Sequence, residues 1–215
     1  MRRRRRAPWA ERLEARLIAG DAPGAWGVVE AALAAGTELD EIYLDVLSPA
    51  LVSIGTRWER AEIDVAIEHR ATGIALRLIG RLGPRCARRG RSKGIIVLGA
   101  PVGERHGLPV AILGDLLRLD GWEVSDLGPD TPAAAVAHAG EVAGGPSAVT
   151  AVGVSVTDPA NRDACAATCA AVRAVAPGVP VLVGGLAVRG DEDAATLGAD
   201  GYAASAEEMV TLLGR

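Results

Sequence analysis

Of the three histidines in this chain, His106 stands out because it follows a carboxylate, Glu104, by two residues. Imidazole is a donor for cobalt, iron, copper or zinc. A carboxylate within reach of its other ring N–H fixes the tautomer and raises its basicity. No run of His, Cys or Asp accompanies His106 in sequence, so a metal cage built from protein alone is not expected. A metal that arrives with its own equatorial ligands and needs one axial donor suits the pattern better. The plainer alternative is a surface histidine beside a helix start. Ser155 and Thr157 offer two hydroxyls, and Gly184-Gly185 offers bare backbone that a ligand can approach closely. Equally, the first two read as helix caps and the second as an ordinary strand-to-helix turn. Cys165 and Cys169 lie one helical turn apart and read as small buried hydrophobes or as a metal pair.

Composition narrows what such residues can be doing. The chain has 215 residues, 49% hydrophobic and 23% charged, enough apolar material for one large or two small packed cores. That apolar fraction excludes disorder over most of the length. No apolar run approaches the ~18 residues of a membrane span. The arginines at 2–6 imitate the start of a signal peptide, but Glu11, Arg12, Glu14 and Arg16 interrupt what should be its apolar stretch. A cytoplasmic location is expected. The net charge is −4 despite that Arg run, so the body is acidic and a broad nucleic-acid face is not expected. The run itself reads as a solvated tip, or as a contact for phosphate or anionic lipid. Three cysteines without a CxxC exclude a disulfide scaffold.

The elements that must position these residues fall into two halves. Residues 1–7 form the Arg-rich tip, and 8–90 read as helices only. Asp21 and Thr37 are expected N-caps, each preceded by a helix-stopping glycine. Leu39, Ile42, Val46, Leu47, Leu51 and Ile54 make a stripe of period 3.6 that Pro49 is expected to kink. Asp64 caps a further amphipathic run ending at Gly83-Pro84, and 84–94 reads as a linker. Short connections make this half a four-helix-bundle-like unit. From 91 to 215 apolar bursts at 95–98, 123–127, 148–154, 179–183 and 200–203 alternate with helical stretches. Nearly all-apolar strands belong to a parallel sheet covered on both faces. Five such units predict a flavodoxin-like α/β domain with strand order 2-1-3-4-5. Ligands bind such sheets outside the carboxyl ends of the strands. There the loops after strands 1, 3 and 4 place His106, Ser155, Thr157 and Gly184-Gly185 on one edge. Neither GxGxxG after strand 1 nor GxxxxGK[ST] occurs, which argues against dinucleotide and nucleotide triphosphate sites.

Taken together, Glu104-x-His106-Gly107, Ser155-x-Thr157 and Gly184-Gly185 resemble the DxHxxG…SxL…GG signature of cobalamin-binding domains. The resemblance covers about residues 20–213. It implies that His106 replaces the dimethylbenzimidazole as lower axial cobalt ligand, oriented by Glu104. It also implies that Gly107, Ser155, Thr157, Gly184 and Gly185 line the slot for the displaced nucleotide tail. The helical half is similar to the cap that covers the upper corrin face in methionine synthase and its relatives. Trp58, with Glu68-His69 ten residues on, resembles the W…EH pattern of light-sensing, adenosylcobalamin-dependent MerR-type regulators. In that family the Trp packs by the adenosyl group and the Glu-His pair contacts the upper ligand. Glu104 stands where the family usually has Asp, Pro109 where it has the final Gly, and Thr157 where many members have Leu. Glu59 follows Trp58 where some light sensors carry a His that captures cobalt after photolysis.

The resemblance implies a cobalamin-binding sensor, using adenosylcobalamin with methylcobalamin or hydroxocobalamin as other forms. Breakage of its Co–C bond by light would shift the cap or the oligomeric state. Expected partners are a second copy of the chain and a transcription regulator, without a direct DNA-binding domain and without a membrane. The alternative is a corrinoid carrier serving a methyltransferase or mutase. In either case the protein is a carrier or regulator, with no catalytic residue of its own expected.

Overall fold

The structure, a computed structural model, describes residues 9–87, 90–142 and 149–213. The Arg2–Arg6 run and the expected strand start at Ala148 lie outside them. The chain divides into two compact units, Met1–Cys86 and Ala87–Arg215.

The first unit is helical. Helix α1 (Trp9–Ala19) stops at Gly20, whose φ of +73° only glycine adopts without strain. Asp21 then caps α2 (Ala22–Ala34) by accepting from the Gly24 N–H at 2.9 Å. The next cap is Glu38, not Thr37, because the Glu41 carboxylate three residues on reaches back to the Glu38 N–H at 3.1 Å. A continuous helical stretch follows: α3 (Leu39–Glu41), a π-helical segment (Ile42–Leu47) and α4 (Ser48–Glu59). Pro49 causes the wide turn rather than a simple kink. Its nitrogen cannot donate to the Asp45 carbonyl and its ring would strike it, so the preceding turn opens and Ser48 N–H reaches Tyr43 C=O. The Ser48 hydroxyl donates to the same carbonyl at 2.8 Å. Helix α5 (Val65–Cys86) begins where Asp64 accepts from the Ile67 N–H at 2.8 Å. It runs through Pro84 instead of ending there. Gly83 has no Cβ to clash with the proline ring, and buried Cys86 holds the last turn down. Leu13, Leu17, Val29, Ile42, Tyr43, Leu47, Ile74 and Leu82 are at most 2% exposed and form the interior of this unit. Burial of each such side chain contributes roughly 1.5–3 kcal/mol.

The second unit is a five-stranded sheet in order β2-β1-β3-β4-β5, every pair parallel. Its strands are β1 (Ile95–Gly99), β2 (Glu123–Asp126), β3 (Val149–Ser155), β4 (Val181–Gly184) and β5 (Gly201–Tyr202). Helices α6 (Leu108–Asp120), α7 (Ala133–Val142), α8 (Arg162–Val175), α9 (Asp191–Thr196) and α10 (Ala206–Leu213) connect and cover them. The two-residue period of a strand sends alternate side chains to opposite layers. Ile96 and Leu98 meet Val110, Leu117 and Met209 on one face. Val97, Val152 and Val154 meet Val136, Cys165, Cys169 and Val172 on the other. Both cysteines of the i, i+4 pair are fully buried there and serve as small core residues. At Gly153 a Cβ would sit 2.6 Å from Leu98 Cδ2, so a glycine lets β3 and β1 pack their residues at that level. The carboxyl ends of β1, β3 and β4 are consecutive in this order, as the sequence pattern predicts.

Candidate functional site

Glu104 organises the sheet edge. It lies in the loop after β1, is 1% exposed, and accepts hydrogen bonds on both oxygens. Oε2 takes the backbone N–H groups of Thr157 and Asp158, both at 2.8 Å, and the Asn161 side-chain amide at 3.3 Å. Oε1 takes the His106 backbone N–H at 3.0 Å and the His106 ring. Burial alone would push this carboxyl up. The N–H donors of Asp158, His106 and Thr157 and the His106 ring outweigh it and bring it from 4.5 down to about 2. A carboxylate can only accept, so His106 Nδ1 carries the proton and donates to it. In the neutral ring Nε2 then holds the lone pair. Among the described residues Nε2 takes no hydrogen bond, and the side chain is 53% exposed. The imidazole is therefore a single, aimed donor with its second nitrogen already committed.

The surrounding loops hold this pair in place. Gly107, next to His106, faces Pro129 from the loop after β2, where a Cβ would come within 3.1 Å of the proline ring. From the same loop Asp130 accepts the Gly103 N–H and donates its own N–H to the Glu104 carbonyl, both at 2.8 Å. Ser155 ends β3 in register with Gly184 of β4, is 9% exposed, and its hydroxyl makes no hydrogen bond among the described residues. Thr157 joins the network through its main chain, not its hydroxyl. The glycine pair is demanded by the chain itself. A Cβ on Gly184 would lie 2.4 Å from the Ala203 carbonyl oxygen, and one on Gly185, at φ +97°, would lie 2.3 Å from the Val156 carbonyl oxygen. Arg162 braces the turn that follows, donating to the Ala187 carbonyl and forking onto Asp193, which also accepts the Arg189 N–H. That brace leaves Leu186 84% exposed at the tip.

The helical unit presents a separate set. Trp58, one residue from the end of α4, is 45% exposed, so it is not core. Glu68 leans inward on α5, 24% exposed, accepting from the Thr72 hydroxyl at 2.8 Å and from His69 Nδ1 at 2.7 Å. His69 points outward, 75% exposed. Glu59 is exposed beside Trp58. The five residues from Arg60 to Asp64, with Ala61 at φ +55°, turn the chain between these two helix ends.

Sequence reasoning did not anticipate Asn161 or the amides of Thr157 and Asp158. A backbone N–H carries no residue-type signal, and Asn161 sits in a short 3-10 turn (Pro159–Asn161) that no hydrophobic period marks. Among the described residues no three His, Cys, Asp or Glu side chains come together as a metal cage. One imidazole is what the edge presents. Residues 9–82 and 94–211 each match a family model described as a B12 binding domain. The chain belongs to the B12-binding domain family. The donor set fits that cofactor, because cobalamin brings four equatorial nitrogens to its cobalt and leaves an axial position for one imidazole. A cobalamin-binding protein with a helical unit ahead of a Rossmann-like domain is thus established.

Two kinds of relative extend this. The HTH-type transcriptional repressor CarA of Myxococcus xanthus is 34% identical over 183 residues, 80% of this chain and 57% of that protein. The chain thus spans little more than half the length of that curated relative. In fold it is similar to the monomethylamine corrinoid protein of Methanosarcina barkeri, with TM-score 0.78 and 21% identity over 96% of this chain and 98% of that one. It is also similar to a cobalamin-binding protein from Desulfitobacterium hafniense DCB-2, with TM-score 0.52 and 20% identity over 94% and 96%. No helix among the described residues is long and apolar enough to cross a membrane.

Proposed function

We propose that this B12-binding protein is a light-responsive regulator that uses adenosylcobalamin. In this reading His106 is the lower axial cobalt ligand and Glu104 holds its tautomer. Gly107, Ser155, Thr157, Gly184 and Gly185 line the path of the displaced nucleotide tail. Trp58, Glu68 and His69 receive the upper ligand. The observation that carries the adenosyl assignment is Trp58: a 45%-exposed indole at the end of α4, across the Arg60–Asp64 turn from the α5 end that carries a hydrogen-bonded Glu-His pair, is a plate suited to a flat, polar-edged group. The similarity to a protein named as a transcriptional repressor points to a regulator rather than a catalyst.

When bound, adenosylcobalamin supplies a cobalt–carbon bond that visible light cleaves. Trp58 would stack on the adenosyl group in the dark and, once the cleaved group has left the site, would lose that partner, as would Glu68 and His69. The helical unit then has two packing states of different stability, which biases self-association or a partner surface. The test is the full chain loaded with adenosylcobalamin, compared in the dark and after illumination by elution volume and by hydrogen exchange at 58–69. A light-dependent change in either is expected. Indistinguishable dark and lit samples would end the sensor reading and favour a corrinoid carrier for a methyltransferase or mutase. Independently, His106→Ala should lose the base-off, His-on absorption spectrum.

A further inference from the structure

We infer that Asp130, in the loop after β2, is a positioning residue for the axial imidazole. The inference rests on His106 being the cobalt donor and extends that reading to the loop after β2. Three observations meet at this residue. Its Oδ1 accepts the Gly103 N–H at 2.8 Å, and its own N–H donates to the Glu104 carbonyl at 2.8 Å. It thereby grips the main chain on both sides of the residue that orients His106. It does so at φ +53°, in the left-handed region that a non-glycine residue adopts only at some cost. Finally, its neighbours lie along the same loop: Pro129 packs under Gly107, and Thr131 donates its N–H to the Ala100 carbonyl at 2.9 Å.

The geometry assigns Asp130 a task that Glu104 cannot perform for itself. The Glu104 carboxylate is fixed at its far end by Thr157, Asp158 and Asn161 from the β3 side. Its backbone is fixed from the β2 side by Asp130. With both ends held, the arc from Gly103 to His106 is braced from the loops after β2 and β3, which fixes where the ring nitrogen points. Loss of Oδ1 leaves the carboxylate and the Glu104 carbonyl held but frees Gly103, at φ +85°, so the turn that sets the spacing of the Glu104 oxygen and His106 Nδ1 loosens.

Two variants of the full chain separate the acceptor from the backbone. Asp130→Gly keeps the left-handed conformation and removes Oδ1, whereas Asp130→Asn keeps an oxygen acceptor and tolerates that conformation. In the ligand-free protein, Asp130→Gly should speed exchange of the Gly103 amide about tenfold or more and raise the minor Nε2–H tautomer of His106 in nitrogen-15 spectra. Both effects are on the scale of one lost hydrogen bond to a charged group. With hydroxocobalamin, affinity should fall about 10–100-fold and the His-on fraction should drop, as when an outer partner of a metal ligand is removed. Asp130→Asn should restore all of these. Thermal unfolding of all three proteins checks that the fold persists. Asp130→Gly with an unchanged tautomer and unchanged Gly103 exchange would overturn the inference, as would failure of Asp130→Asn to rescue. If wild-type protein itself shows no nitrogen donor on cobalt while the ligand-free signals respond to Asp130, the axial assignment fails, and Asp130 positions a histidine of another purpose.

Discussion

Replacing Glu104 with Gln tests the centre of the site most severely. Five donors converge on this carboxylate, two on Oε1 and three on Oε2. An amide must turn its NH2 toward one of those groups, so in either orientation donor faces donor in a site that is 1% exposed. The size of the loss follows from the carboxyl's displacement from 4.5 to about 2, which at about 1.4 kcal/mol per pH unit is about 3–4 kcal/mol. Because the folded value lies below the unfolded one, the unfolded chain takes up its proton first as the pH falls. The contribution is complete above about pH 5 and is gone near pH 2. Pulse-labelled hydrogen exchange across a urea series, read on peptides covering 95–99, isolates the stability of the α/β unit in the full chain. Glu104→Gln should lower it by about 3–4 kcal/mol at pH 7, and the gap to wild type should close between pH 5 and 2. A deficit below about 1 kcal/mol at pH 7, or a gap independent of pH, would refute the claim that a buried carboxylate ties these loops together.

Gly185→Ala should destabilise the same unit by more than the roughly 1–2 kcal/mol of a left-handed alanine, because its Cβ would meet the immovable Val156 carbonyl; urea unfolding measures this, and a smaller loss would mean the turn relaxes freely. Trp58→Ala should weaken adenosylcobalamin by about tenfold while leaving hydroxocobalamin within about twofold, since an exposed indole matters only to a ligand that stacks on it. Equal losses in titration of the two forms would make Trp58 a scaffold residue.

Much of this protein is written in local pattern. The nearly all-apolar strands and their intervening helices point to a covered parallel sheet, and order 2-1-3-4-5 is the common arrangement of five such units, which the structure has. The pairing of Glu104 with His106 was also legible, since residues two apart in a loop can reach each other. Local pattern misplaced the cap at Thr37 and the helix end at Pro84, where Glu41 and Gly83 change the outcome through neighbours that residue-by-residue propensities ignore. Tertiary structure alone decided the rest. It showed Trp58 exposed, placed Cys165 and Cys169 in the core, and explained Gly184-Gly185 by the carbonyls of Ala203 and Val156. It also supplied Asp130 and the amides of Thr157 and Asp158. The physical reason is that hydrophobic period records which way a side chain faces, whereas a polar site is built from main-chain groups that every residue shares, brought together from loops far apart in the chain.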